Sequence, residues 1–140
     1  MTADAGFELR EHTADVAVEA TGPTLGATFA AVADGMAAAM CDDVPSGGER
    51  FDLSVTAESR EALLLDYLDR LIYERDVRGV LPVDNEARVT DADGAWRVAA
   101  SARGVSLDRV RAREVKAATY SQMALDRTDG GWRAYVVLDV

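Results

Sequence analysis

The 140-residue chain is 49% apolar, and its apolar residues fall in periodic stretches. That supplies one core for a single domain over residues 1–140 and excludes both native disorder and a second independent unit. A formal charge of −10, from 16 Asp and 9 Glu against 14 Arg and a single Lys, lacks the basic footprint of a self-sufficient nucleic-acid binder.

The same charge pattern suits a very salty cytoplasm, as in a halophilic archaeon, where carboxylates hold hydration and concentrated counterions screen their repulsion. No segment approaches the ~20 consecutive apolar residues of a membrane span, and the small, acidic start at Met1 does not read as a secretory signal. The lone Cys41 cannot form an internal disulfide and fits a reducing, cytoplasmic setting.

In chain order, Gly6 to Leu9 reads as a short edge strand. After a turn at His12-Thr13-Ala14-Asp15, Val16 to Ala20 alternates with period two, a second strand. Gly22-Pro23 breaks the chain, and Thr24 is placed to cap a helix in which Leu25, Phe29, Val32, Met36 and Met40 form one buried stripe. The alanines between them are strong helix formers, and the helix should end near Cys41. Phe51 to Val55 alternates again. Ser59 then caps a second helix lined by Leu64, Leu68, Leu71 and Ile72, with Asp66 and Arg70 expected to pair one turn apart on its outside.

Beyond Gly79 strands are expected near Val80–Val89, Trp96–Ala102, Thr119–Asp126 and Trp132–Asp139, with turns at Asp93-Gly94 and Asp129-Gly130-Gly131. This order predicts a single α+β domain of about six strands, two amphipathic helices packing on a mixed or antiparallel sheet. The basic cluster Arg103, Arg109, Arg111, Arg113 and Lys116 is interrupted by Asp108 and Glu114 and reads as a solvated, mixed surface.

Three places carry chemistry. At Glu11-His12-Thr13-Ala14-Asp15, the only histidine excludes any two-histidine site; His12 reads as a structural histidine before a general base. At Leu138-Asp139-Val140 the sequence closes directly on an apolar strand. Asp139 and the carboxylate of Val140, joined by Asp15, would make an all-oxygen cluster suited to Ca²⁺ or Mg²⁺ and not to zinc. The alternative there is a strand that simply stops, with Asp139 solvated. The third place, Glu114 to Ser121, holds the only lysine, Lys116. A compact ammonium meets a phosphate or carboxylate in a space too narrow for guanidinium, although chance could also retain one lysine.

Together these pieces resemble the archease family. The matching motifs are His12-Thr13-Ala14-Asp15, the Thr24-Leu25 helix start, Leu71-Ile72-Tyr73, Glu114-Val115-Lys116-Ala117-Ala118-Thr119-Tyr120 and Leu138-Asp139-Val140, in family order over nearly the whole chain. The resemblance implies an accessory protein, not an enzyme, that activates an RtcB-type RNA ligase in tRNA splicing. It would promote guanylylation of the ligase and of the RNA 3′-phosphate and permit multiple turnover, meeting tRNA halves only through the ligase. It also implies a bound divalent metal, usually calcium (with Mg²⁺ or Mn²⁺ as alternatives), whose ligands map onto Asp15, Asp139 and Val140. Lys116 takes the place of the family's functional lysine, and His12 joins it among the residues that serve the partner. The chain departs from the family at Gly26 and Ala27, where acidic residues are common, and at Ser121, where many members have His, so Ser121 carries no role. Two other readings compete: a stand-alone metal-dependent phosphoesterase, and a general chaperone or adaptor for RNA-modifying enzymes.

Overall fold

The computed structural model describes residues 5–12 and 15–140; the side chains of residues 10–12 and 92 fall outside that description. Seven strands and two helices alternate as β1 (Gly6–His12), β2 (Asp15–Gly22), α1 (Leu25–Met40), β3 (Arg50–Ala57), α2 (Arg60–Arg78), β4 (Val80–Ala92), β5 (Ala95–Ser106), β6 (Ala117–Thr128) and β7 (Gly131–Asp139). They form a four-stranded sheet in the order β1-β2-β7-β6 and a three-stranded sheet in the order β3-β5-β4. Every neighbouring pair is antiparallel, so the expected α+β domain is found, with two sheets in place of one. Among the described residues no helix is long and apolar enough to cross a membrane.

Each helix bridges both sheets. α1 packs most extensively on β4 of the three-stranded sheet and also against β2, β1 and β7; α2 packs on β6 of the four-stranded sheet and on β3, and also against β4 and β5. Thr24 caps α1 by accepting from the Ala27 amide at 3.0 Å, and its carbonyl accepts from the Thr28 hydroxyl at 2.8 Å. The stripe Phe29, Val32, Met36 and Met40 is buried as expected, yet so are Ala31, Ala33, Ala37 and Ala39. The small residues therefore do more than favour helix: they let strands close on α1 from several sides. At Gly26 an added Cβ would sit 2.4 Å from the Ala87 carbonyl oxygen of β4, so glycine sets how closely β4 approaches. Phe29 stacks on Tyr67 of α2, ring centres 6.0 Å apart, in the core both helices share.

Ser59 caps α2 through the Ala62 amide at 3.0 Å, and Gly79, in the left-handed conformation, ends it. The expected Asp66–Arg70 pair does not form. Arg70 bonds Glu74 instead, at 3.2 Å, and Arg78 bonds the other oxygen of Glu74 at 2.7 Å. The reason is burial: the Glu74 side chain is 7% exposed and its charge needs partners, whereas Asp66 is solvated. The hydrogen bond from Arg78 chiefly holds the Glu74 carboxyl below its ordinary value of 4.5. A folded-state value below the unfolded one stabilises the fold above the unfolded value and ceases to do so as pH falls through the folded value. Glu74→Gln should therefore lower the Tm by several degrees at pH 7 and by less at an acid pH well below 4.5. Melting curves at the two pH values check this, and equal losses would contradict it.

The Asp93-Gly94 turn joins β4 to β5 with both residues at positive φ, 54° and 77°, the backbone that a two-residue hairpin favours. β4 also carries a bulge between Val83 and Glu86. There Asp84 takes φ 48°, held by Arg103 at 2.7 Å and by Arg50 on its carbonyl at 2.8 Å. The basic cluster expected to be merely solvated in fact clamps a loop. Arg103 binds the carbonyls of Pro45 and Gly47, Arg109 that of Ser46, and Arg113 both the Ala39 carbonyl at the end of α1 and Asp42.

Candidate functional site

The site lies at one end of the four-stranded sheet and is built by strand register. β2 and β7 pair so that Asp15 stands directly opposite Asp139. Residues directly opposed on antiparallel strands project to the same face with Cβ atoms roughly 4.5–5.5 Å apart. β1 extends the row, placing His12 opposite Asp15, and β6 extends it on the other side, placing Ala117 opposite Asp139. Thr13 and Ala14 lie outside the described residues. Asp139 and Val140 are exposed, and Asp15 is half-buried.

Lys116 reaches this end by a pinned approach. Residues 111–116 run without regular structure, yet the Arg113 amide donates to the Met40 carbonyl at 2.6 Å and the Lys116 amide to the Asp139 carbonyl at 2.8 Å. Between them Val115 is fully buried, and its carbonyl accepts from the buried Arg75 guanidinium at 3.0 Å. With Val115 turned inward, its neighbours Glu114 and Lys116 face outward, and both are exposed. β6 then begins as the sheet's edge, where the Ala118 amide is satisfied by Asp69 of α2 at 3.2 Å; partial burial raises the Asp69 carboxyl above its ordinary value. An edge strand with an unmet amide invites pairing with another chain, and Asp69 closes that position.

Asp15, Asp139, Val140, Lys116 and the backbone of His12 are thus gathered from four segments of the chain. Among the described residues no three His, Cys, Asp or Glu side chains gather as a metal site, so the pair of carboxylates would need oxygens from the Val140 carboxylate, backbone or water. The pair nonetheless fits a hard cation. Like charges directly opposite on paired strands repel, and an ion between them removes that repulsion using oxygen donors alone. A hollow of about 820 Å³ lies elsewhere, on the outer face of the three-stranded sheet with Arg70, Arg88 and Arg97 interspersed with Asp52 and Glu86; it shares no residue with this site.

Residues 7–140 match the model of the Archease protein family. The chain belongs to the archease family. It is 32% identical to the protein archease of Pyrococcus furiosus, over 96% of this chain and 98% of that one, and 35% identical to that of Thermococcus gammatolerans over the same shares. The solution structure of Methanobacterium thermoautotrophicum protein 1598 superposes with a TM-score of 0.84 at 30% identity, covering 96% of this chain and 99% of that one. A crystal structure from Thermotoga maritima, of an archease described as a possible chaperone, shares the fold at a TM-score of 0.62 and 22% identity, over 95% and 96% of the two chains.

Three of the motifs that carry the resemblance, those of Asp15, Lys116 and Asp139-Val140, thus meet at this end of the fold, whereas Thr24-Leu25 starts α1 and Leu71-Ile72-Tyr73 lies within α2. Sequence reasoning missed Arg75 and Asp69, which place the Lys116 segment. Both sit on a helix whose amphipathic pattern accounts for them as ordinary polar residues, and only the fold shows what they touch.

Proposed function

We propose that this archease-family protein is a cytoplasmic accessory factor of an RtcB-type RNA ligase in tRNA splicing, meeting tRNA halves only through the ligase. The observation that carries the reading is the register of Asp15 against Asp139, with Lys116 tied to the same residue through its amide. It sets two carboxylates and the sequence's only lysine on one end of the fold, a charge pattern able to recognise a metal and a phosphate together.

Asp15, Asp139 and the carboxylate of Val140 would hold a divalent ion, with Ca²⁺ suited to an irregular oxygen set where Mg²⁺ demands near-ideal octahedral geometry. When bound, such an ion supplies a positive centre that neutralises phosphate charge. The strands hold the carboxylates in place through backbone pairing, so the tip costs little reorganisation on docking. Exposed Lys116, on a segment anchored by Arg75 and Val115, offers a point charge to a phosphate or to a carboxylate of the ligase. The net charge of −10 would steer the protein towards a basic, RNA-binding partner over long range, an effect that salt weakens.

The test is RNA ligation under excess substrate with the cognate ligase, GTP and high salt, with and without this protein. Many turnovers with it and about one without would support the reading. Active ligase and folded protein with no change in turnover would overturn it, and phosphoester hydrolysis by the protein alone would point to an enzyme instead.

A further inference from the structure

The outer face of the three-stranded sheet carries a pair of arginines that no carboxylate has taken. Ser54 of β3 and Arg88 of β4 stand on either side of Ala99 in the central strand β5. Arg97 lies two residues along β5 and so projects to the same face. Ser54, Arg88, Arg97 and Ala99 are all exposed. Directly opposed residues have Cβ atoms roughly 4.5–5.5 Å apart, and two residues along a strand span roughly 6.6 Å. A group resting on the Ala99 methyl is therefore within reach of two guanidiniums and a hydroxyl.

The sequence holds 25 acidic residues against 15 Lys and Arg, so an arginine without a partner is not the expected state. Among the described residues the other arginines, Arg111 apart, each hold a hydrogen bond, an ion pair or an aromatic ring. Arg88 and Arg97 hold none among them. Glu86, the carboxylate two residues from Arg88 on the same strand, is engaged instead by Arg50 at 3.6 Å and by the Ser101 hydroxyl at 3.5 Å.

The hollow over this face, about 820 Å³, falls in the range of small-molecule sites, roughly 300–1,000 Å³. It is divided by charge. The row of Ser54, Ala99 and Arg88 lies beside the row of Asp52, Ser101 and Glu86. Asp52 is exposed and has no partner among the described residues. An ionised carboxylate accepts hydrogen bonds and donates none, so this second row repels a further phosphate and suits hydroxyl donors. A nucleic-acid strand, with a phosphate at every step, does not match two arginines followed by two carboxylates.

We propose that this face is a binding site for a small sugar phosphate. The phosphate monoester sits over Ala99 between Arg88 and Arg97, whose planar forks match its oxygens, with Ser54 as a neutral donor. The sugar extends over the next row, and its hydroxyls donate to Asp52. Ala99 forms the floor, and a larger residue there would occupy the phosphate's place.

The site stands apart from the ligase reading and is tested on the full chain by proton–nitrogen NMR titration. The probe is ribose 5-phosphate, with inorganic phosphate and ribose as controls and the ionic strength held constant with sodium chloride. Saturable shifts centred on the amides of Ser54, Arg88, Arg97 and Ala99 are expected. Ribose 5-phosphate should bind several-fold more tightly than inorganic phosphate, and ribose should cause no shifts. Arg97→Gln should weaken both phosphates about tenfold, and Ala99→Glu, which sets a carboxylate between the two arginines, should abolish binding of both. Asp52→Ala should bring the affinities of ribose 5-phosphate and inorganic phosphate together. Shifts spread evenly over the surface, or undiminished affinity in folded Arg97→Gln or Ala99→Glu, would overturn the site. Equal affinities for the two phosphates in the parent, or tighter binding of a short single-stranded RNA at the same amides, would overturn the sugar-phosphate assignment.

Discussion

An Asp15→Ala variant should fold normally and leave the cognate ligase at about one turnover, the level expected without any accessory protein. The fold is expected to survive because β2 pairs with β1 and β7 through its backbone, which the substitution leaves intact. The Tm in a chelator should therefore stay within a degree or two of the parent's. Calcium separates the variants more sharply. An ion present at 100 times its Kd stabilises the folded state by about 2.7 kcal/mol, which for a domain of this size is roughly 6–10 °C in Tm. The parent should show that rise on adding Ca²⁺ and lose it with chelator. Asp15→Ala and Asp139→Ala should show little of it. If Asp15→Ala activates the ligase fully, the tip is not the working part. If it fails to activate but still gains the full calcium-dependent rise, the ion sits elsewhere and Asp15 acts as a charge on the ligase.

The extent to which this was legible in the sequence follows from how far each interaction reaches along the chain. Thr24 and Ser59 were readable as caps because a cap is settled within four residues. The strand segments were readable because alternation is local, and the Asp93-Gly94 turn because its backbone demands those residue types. Asp15 and Asp139, each at the end of an alternating run, could be grouped as an oxygen cluster only on the condition that their segments meet, or through the family resemblance. That they stand face to face depends on a strand register spanning most of the chain, which no local pattern encodes. The near-complete burial of α1 was hidden for a related reason. Alanine and glycine look the same whether they favour helix or admit a neighbouring strand, and only the approach of β4 to Gly26 decides between these. Arg70 was assigned to Asp66 because both were thought to face solvent; burial of Glu74, a property of the packed helix, redirected it.

The second large effect is expected at Arg75, and it tests whether Lys116 works as a placed group or as one more surface charge. The Arg75 side chain is 10% exposed and donates to the Val115 carbonyl at 3.0 Å, with Met40 Sδ 3.7 Å from the same nitrogen. Its ionic partner Asp76, 2.9 Å away, is 64% exposed, so losing the pair leaves Asp76 hydrated at little expense. The Val115 carbonyl is different. It lies beside a fully buried side chain, and an acceptor stranded there costs roughly 1–3 kcal/mol. Arg75→Met keeps most of the apolar stem and removes only the donors. Its Tm should fall by about 4–10 °C. Hydrogen exchange should accelerate at the amides of Val115 and Lys116 ahead of those in the core, because the segment loses one of the bonds that flank its turn towards Asp139. Ligase activation, measured well below the lowered Tm, should drop several-fold although Lys116 itself is untouched. Arg75→Lys, whose ammonium can still reach one acceptor, should recover part of both losses. A folded Arg75→Met protein with full activation would show that Lys116 needs only its charge and its place in the chain, not the strap that holds it beside Asp139.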